Sequence, residues 1–394
     1  MQSTGPRIAI VGAGIAGLTT AIALTQAGLA CEVFEQAPYL AEVGAGLQLA
    51  PNAVRPLRRL GLGKQLDRVA VRAEAIEMRR WSDGELIMST PLGDECEERF
   101  GAPYCTVHRA HLHQYLRELL PDGVLRLGMR CCRLSEESDA VELTFQNGRM
   151  AHADLVVGAD GIHSVVRDQL AHDQPRFSGQ SIYRGLLPAI RLPRLAEDPK
   201  VRLWLGPGQH CVSYLVAGGE WISFGATTPA DGRRTESWSA TGQVEQMVKA
   251  YRGWHPDVLE LLSAADSVRH WALHDRDTIT PWSTDRLTLV GDAAHPMLPF
   301  LAQGANQAIE DAVVLAQCLR TTGSDELAPA LRRYERIRAP RTAEVHERSR
   351  GNSRALHLAD NEARRTRDAE LGRCADLSHQ DWLYGYDAEL AAAH

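Results

Sequence analysis

At 394 residues the chain is too long for one ordinary hydrophobic core and suits two packed lobes with a tail. An apolar fraction of 44%, a charged fraction of 24% and a net charge of -7 are those of a globular protein, and no Lys/Arg-rich run is present to draw nucleic acid. No apolar stretch reaches the length of a membrane span, and MQSTGPR lacks a signal-peptide layout. The eight cysteines (Cys31, Cys96, Cys105, Cys131, Cys132, Cys211, Cys318, Cys374) are scattered without CxxC spacing, so reduced thiols in a cytoplasmic protein are expected.

Arg7–Val11 is an apolar, β-branched run that breaks at Gly12-Ala13-Gly14-Ile15-Ala16-Gly17. Leu18, Ala21, Ile22 and Leu24 then recur at helical spacing as far as Gly28, and a second strand, Ala30–Phe34, ends at Glu35. The Glu comes 23 residues after Gly12. Strand, GxGxxG, helix, strand and acid in this order predict a dinucleotide fold. The glycines permit a tight turn, approach to a pyrophosphate and close helix–strand packing, while Glu35 meets ribose hydroxyls. A glycine-rich turn by itself is commonly only conformational; here the flanking elements are all present.

Glu42-Val43-Gly44-Ala45-Gly46 reads as a loop entering a strand through Leu47-Gln48-Leu49, with Asn52 as N-cap of a helix Ala53–Leu60. Alternation from Arg72 to Ser89 reads as strands. Thr106–Leu112 enters a helix, on which Arg109 is either a solvated arginine or a donor near a cofactor. Val124–Leu127, Cys132–Ser135 and Val141–Phe145 form a meander with a turn at Asn147-Gly148. Ala153–Asp160 is a buried strand ending in Gly158-Ala159-Asp160-Gly161, and Ser164 is placed to cap a helix through Leu170 with Arg167 on its first turns. Short alternating strands fill Ser178 to Trp282; on one of them residues 210, 212 and 214 share a face, so His210 and Tyr214 both point one way. Leu287–Val290 stops at Gly291-Asp292, a loop carries Pro296 and Pro299, and Gln303-Gly304-Ala305 opens a helix with an apolar face through Leu319. Its N-terminus aims backbone N–H groups at the acidic turn. From Asp325 onward the chain reads as charged packing helices, ending in Asp381-Trp382-Leu383-Tyr384-Gly385-Tyr386, which folds back or joins an interface.

The three units Gly12–Glu35, Gly158–Arg167 and Gly291–Gly304 resemble those of the class A flavin-dependent aromatic hydroxylases, the para-hydroxybenzoate hydroxylase type. Glu42–Gly46, His108-Arg109-Ala110-His111-Leu112, Tyr183-Arg184-Gly185 and the Asp381–Tyr386 end are similar to the salicylate hydroxylase, 3-hydroxybenzoate 6-hydroxylase and 6-hydroxynicotinate 3-monooxygenase branch. The resemblance implies an α/β architecture: a Rossmann-like FAD-binding domain of the GR2 type (1–71, 100–177, 283–325), interleaved with a β-sheet substrate domain (72–99, 178–282) and followed by a C-terminal helical segment (326–394). It implies tightly bound FAD, O₂ as co-substrate, and NADH or NADPH docking transiently, because no second GxGxxG has a strand–helix setting. The reaction is hydroxylation of a phenolic acid, a hydroxybenzoate or amino-hydroxybenzoate, through a C4a-hydroperoxyflavin. No metal is expected, and the protein is a monomer or homodimer.

By the same resemblance Gly12, Gly14, Ala16, Gly17, Glu35 and Gln36 hold the ADP half, Asp160 and Gly161 follow, and Asp292 meets the ribityl chain with His295 in the same cradle. Gly46, Gln48, Arg109, Pro299, Gly304, Ala305 and Asn306 surround the flavin. His210 is the base and Tyr214 its partner, with Gln48, Pro299 and Phe300 also lining the ring pocket. A phenol of pKa about 10 facing a histidine of about 6.5 makes proton transfer uphill by roughly 5 kcal/mol, so donors such as Tyr214 must lower the phenol. Phe300 and Leu301 stand where relatives often carry His or Gln, an apolar wall that suits a benzene ring. Arg184 is expected in a structural ion pair rather than on a substrate carboxylate. The alternatives are a hydroxylated N-heteroaromatic or natural-product substrate, and a flavin-binding protein without catalysis; the halogenase motif WxWxIP is missing.

Overall fold

A computed structural model describes residues 5–40, 45–230, 240–320, 326–373 and 375–393. Glu42, Val43, Gly44 and Cys374 therefore lie outside the described residues. The strand Ile8–Val11 is flanked in parallel by Cys31–Phe34 and Leu155–Gly158, with Leu125–Arg126 and Leu287–Leu289 at the two edges. Its four residues are at most 4% exposed, which is why it reads as a continuous apolar run rather than an alternating one. In this register Val11, Gly158 and Leu289 lie side by side. The three acid-and-glycine turns thus emerge together at the carboxyl ends of adjacent parallel strands, where open α/β sheets bind ligands.

A second, eight-stranded sheet runs in the order 241–242, 268–275, 176–188, 221–229, 209–216, 200–206, 75–80, 86–91. Tyr183, Trp204, Cys211 and Phe224 point to one face, where Met247, Tyr251, Trp254 and Leu261 cover them in an apolar core. The strands' period of two sends the alternate residues Arg184, His210, Val212, Tyr214 and Gly225 to the other face, toward the first lobe. A small sheet of 46–49, 105–108 and 71–72 stands between the lobes. The helix Leu327–Leu356 runs along the helix Gly304–Leu319. The C-terminal end folds back, with Arg341 donating to the Trp382 and Leu383 carbonyls and Arg55 to those of Tyr384 and Tyr386. Among the described residues no helix is long and apolar enough to cross a membrane.

Four local expectations are corrected. Asn52 is not an N-cap: the helix is Pro51–Leu57 with Ala50 before it, and the Asn52 amide donates to Gln303 (3.1 Å) and Glu310 (2.6 Å) in a buried polar network. Residues 105–108 are strand, because pairing with Gly46–Leu49 satisfies their backbone, and the helix begins only at Arg109. The Ser164 hydroxyl accepts the Arg167 N–H at 2.9 Å as a cap should, yet only a 3₁₀ turn, Arg167–Gln169, follows. Leu125–Arg126 joins the parallel sheet, and Met150–Ala153 supplies the meander's third strand instead.

Candidate active site

A cavity of about 350 Å³ lies between the strand-end turns and the open face of the large sheet. Gly14, Ala16, Gly46, Gln48, Arg109, Gly161, Asp292, Pro299, Gly304 and Ala305 form one wall, and Arg184, His210, Val212, Tyr214 and Gly225 the other, with Phe300 at the junction.

The first turn has the geometry of a phosphate cradle. Gly12 sits at φ +103°, and a Cβ there would come within 2.4 Å of the Ala159 carbonyl; at Gly17 it would lie 1.9 Å from the Gly12 carbonyl. These two glycines permit close packing, whereas a Cβ on Gly14 would meet no heavy atom within 4 Å, so the backbone there borders open space. The helix Ile15–Gln26 starts at this point and offers its first N–H groups to an anion. Glu35 accepts the Ala13 and Ala37 N–H groups, both at 2.8 Å, which fixes its carboxylate at the strand end, and Gln36 beside it is exposed.

The other two turns are locked to the first. Gly291 (φ +59°) lies so close to Ala16 that a Cβ would come within 2.8 Å of the Ala16 methyl. Arg167, buried at 0% exposure, donates to the Ala293 and Ala294 carbonyls at 3.1 and 2.8 Å and pairs with Asp173 at 2.9 Å. Arg167 is a staple between the second and third turns, a role its helical periodicity did not disclose. Burial raises the Asp160 carboxyl to about 6 despite hydrogen bonds from Ser164 and the Val165 N–H. Burial also pushes Asp292 upward, against the pull of His295 and Arg109.

Two predicted cradle residues act from behind the wall. His295 turns away from the cavity: its Nε2 is 2.6 Å from Asp311, which also accepts the Gly291 N–H at 2.9 Å and Arg338 Nε at 2.8 Å. Burial alone would raise Asp311, but His295 and Arg338 bring it down to about 2. Asn306 is fully buried. Its side chain accepts the Ala50 N–H at 2.8 Å and donates to the Gln48 and Ala302 carbonyls at 3.0 and 2.7 Å, tying the central small sheet to the helix start. Gly304 and Ala305 do reach the cavity. A glycine cradle with open space at Gly14, an acid fixed at the second strand end and a helix N-terminus across the cavity fit a flavin dinucleotide.

On the sheet side, Gln48 accepts the Tyr104 hydroxyl at 2.7 Å. Among the described residues Arg184 has no ion-pair partner: it donates to the Gly46 carbonyl at 2.6 Å and the Tyr214 hydroxyl at 3.4 Å, and its buried Nε meets no acceptor there. The Tyr214 ring packs so tightly on Gly46 that a Cβ there would be 2.4 Å from it. His210 is 5% exposed, with Nδ1 2.8 Å from His357 Nε2 and 3.1 Å from the Thr227 hydroxyl. Phe300 meets both imidazoles edge-on, at 5.6 and 5.3 Å between centroids. Burial, and then His357, holds His210 well below the usual histidine range; burial lowers His357 to about 4. His357 went unseen because the tail reads only as packing helices. One histidine at the end of a charged helix carries no signal that it reaches across to residue 210.

A family model described as the FAD binding domain matches residues 6–349. The chain is 51% identical over 383 residues to a 3-amino-4-hydroxybenzoate 2-monooxygenase of Streptomyces platensis, covering 97% of this chain and 96% of that one. It is 49% identical to a Streptomyces cremeus protein of the same description, over 98% and 97% of the two chains. With a 6-hydroxynicotinate 3-monooxygenase of Pseudomonas fluorescens it shares 36% identity over 89% and 92%. Among solved structures it is similar to Klebsiella pneumoniae HpxO complexed with FAD and uric acid (TM-score 0.88, 27% identity, 99% and 98% covered). A salicylate hydroxylase substrate complex has a TM-score of 0.84, with 26% identity and 100% and 98% covered. Three turns built around one dinucleotide cradle, and relatives of this closeness over nearly the full length, lead to one family: the chain belongs to the FAD-dependent aromatic hydroxylases, the class A flavoprotein monooxygenases.

Proposed function

We propose that the chain hydroxylates an amino-hydroxybenzoate of the 3-amino-4-hydroxybenzoate class, at the ring carbon between carboxylate and amine. The observation that carries this reading is the 51% identity over 97% of the chain to a 3-amino-4-hydroxybenzoate 2-monooxygenase. The cavity supports it: it offers a cation with no carboxylate partner among the described residues, an imidazole and an apolar wall to a substrate with an anionic end, a donor edge and a benzene ring.

FAD, when bound and reduced by NAD(P)H, supplies one atom of O₂ in a form that an electron-rich ring can attack. Gly14, on a turn that Gly12 and Gly17 allow to close, would hold its pyrophosphate, Glu35 would take the ribose, and Arg109, Asp292, Gly304 and Ala305 would border the remainder. Arg184 receives the substrate carboxylate, with Tyr214 beside it as a second donor. Val212 and Gly225, opposite each other on adjacent strands, form the floor under the ring, and Phe300 is its apolar wall.

The attacked carbon is ortho to the amine and meta to the hydroxyl. The amine's lone pair feeds that carbon directly, whereas a phenolate at position 4 feeds positions 1, 3 and 5. The expectation that His210 deprotonates the phenol therefore gives way to another role. A buried histidine held below its usual range widens the roughly 5 kcal/mol uphill gap to a phenol. It is better suited to accept a hydrogen bond from the arylamine and to take its proton only once oxygen attack has made the nitrogen positive and acidic.

The test is substrate-stimulated NAD(P)H oxidation, with identification of the product, for 3-amino-4-hydroxybenzoate, 3-aminobenzoate, 4-hydroxybenzoate and 6-hydroxynicotinate. Both amines should gain one oxygen at C2, and 4-hydroxybenzoate should stimulate oxidation without a C2 product. Turnover of 6-hydroxynicotinate in preference to both amines would sink the proposal.

A further inference from the structure

The helix Leu327–Leu356 ends against the substrate side of the cavity. Ser349 donates to the Leu298 carbonyl at 2.6 Å and Asn352 to the Phe300 carbonyl at 3.1 Å, so the helix end is clamped to the loop that carries the apolar wall. One residue beyond, His357 Nε2 stands 2.8 Å from His210 Nδ1, and the two rings lie nearly parallel at 23°.

Two neutral imidazoles at this distance share one hydrogen: one nitrogen donates and the other accepts. The backbone of Ser353, one helical turn back, is hydrogen-bonded to the His357 ring. The bond raises the ring's pKa, as an accepting carbonyl does, and with Nε2 at His210 the nitrogen left for it is Nδ1, which then carries the proton and leaves Nε2 as an acceptor. His210 Nδ1 must then be the donor, and His210 Nε2 holds a bare lone pair. Thr227 is compatible with this assignment: its hydroxyl, 3.1 Å from His210 Nδ1 and 3.3 Å from His357 Nε2, accepts the His210 backbone N–H at 2.9 Å and has the His210 carbonyl at 3.2 Å to donate to. No hydrogen-bond partner of His210 Nε2 stands among the described residues, and the ring borders the cavity.

We propose that His357 is a positioning residue that fixes the tautomer of His210, so that His210 Nε2 meets the aromatic substrate as a hydrogen-bond acceptor for a ring N–H or O–H. The opposite tautomer would turn an N–H toward that donor and leave the lone pairs of His210 Nδ1 and His357 Nε2 facing each other unpaired. The substrate half of this inference rests on the reading that His210 faces the aromatic ring; the tautomer half does not.

The tautomer is read by ¹⁵N NMR of histidine-labelled holoenzyme without substrate, the His210 signals being assigned by their loss in His210→Asn. Wild type should show His210 protonated at Nδ1. His357→Gln, whose amide oxygen can accept in place of Nε2, should keep that form, while His357→Leu, of similar bulk but without an acceptor, should lose it. With 3-amino-4-hydroxybenzoate, His357→Leu should lower kcat/KM by about 10- to 100-fold, and His357→Gln should remain within about three-fold of wild type. FAD content and the rate of flavin reduction by NAD(P)H should be the same in all three. Wild-type His210 protonated at Nε2 overturns the proposal, without need of any variant. So does His357→Gln falling as far as His357→Leu with FAD content and flavin reduction intact. Should no amino-hydroxybenzoate be turned over at all, the functional reading fails, and the spectrum of the substrate-free protein still decides the role of His357.

Discussion

Replacing Arg338 by methionine keeps the aliphatic stem and removes a charge that has no access to water. The guanidinium donates to Asp311 at 2.8 Å and to the Gln307 side chain at 2.8 Å and pairs with Glu310, all at 0% exposure. Glu310 would retain Arg341 at 3.3 Å, and Asp311 would retain His295 and the Gly291 N–H, so the loss is partial. Removing one partner of a buried ion pair costs about 3–5 kcal/mol, because the remaining charge stays buried without it. With an unfolding entropy near 2.1 cal/mol/K per residue, the 394-residue chain should lose roughly 4–6 °C in Tm. The flavin side should respond as well, since Asp311 holds the turn that carries Asp292. Flavin fluorescence release and a protein-dye melt on the holoenzyme report the two effects separately. Arg338→Met/Glu310→Gln should regain part of the loss by neutralising a carboxylate left with Arg341 as its remaining cation. A single variant melting within about 1 °C of wild type, with unchanged FAD affinity, would refute the reasoning.

Two further outcomes follow from other parts of the site. Arg184→Met should raise KM for 3-amino-4-hydroxybenzoate by about 10- to 100-fold, the worth of a charge-assisted hydrogen bond, and leave KM for 2-aminophenol, which has no carboxylate, nearly unchanged; equal effects on both would remove Arg184 from the carboxylate. Asp311, at about 2 in the folded chain against an ordinary 3.8, stabilises the fold fully at neutral pH, and this contribution declines as pH falls through 3.8 toward 2. Denaturant melts from pH 6 to 3 should therefore show a steeper acid loss in wild type than in Asp311→Asn, and identical slopes would argue against that ion pair.

The dinucleotide lobe was legible because its constraints are local. Gly12 requires a positive φ, Gly17 a close approach and Glu35 a strand end, and each leaves its mark within a few residues of sequence. His210 and Tyr214 could be placed on one face because a strand's period is two. What escaped were partnerships between segments far apart in the chain. Asn52 looks like a cap until Glu310, 258 residues later, draws it into a network. Arg184 looks like half of an ion pair until the sheet presents it to a cavity where no carboxylate of the described residues is in reach. His357 looks like one more polar residue in a charged tail. Such side chains are chosen by tertiary neighbours, so local propensity and periodicity carry no trace of them.

The C-terminal helix shows what this long-range order does for chemistry. Arg338 braces the turn that carries Asp292, and His357, 19 residues later, stands at His210. At about 1.5 Å per residue, roughly 28 Å of one helix separates the two. The cofactor-side turn and the substrate-side imidazole belong to different sheets, yet both are referenced to this single rod, which is clamped along the way by Ser349 on Leu298 and Asn352 on Phe300. Oxygen transfer depends on holding a ring carbon near a flavin to within a fraction of an ångström. A rigid element that touches both walls supplies that registration more directly than either sheet, so a tail that reads as packing is part of the active-site frame.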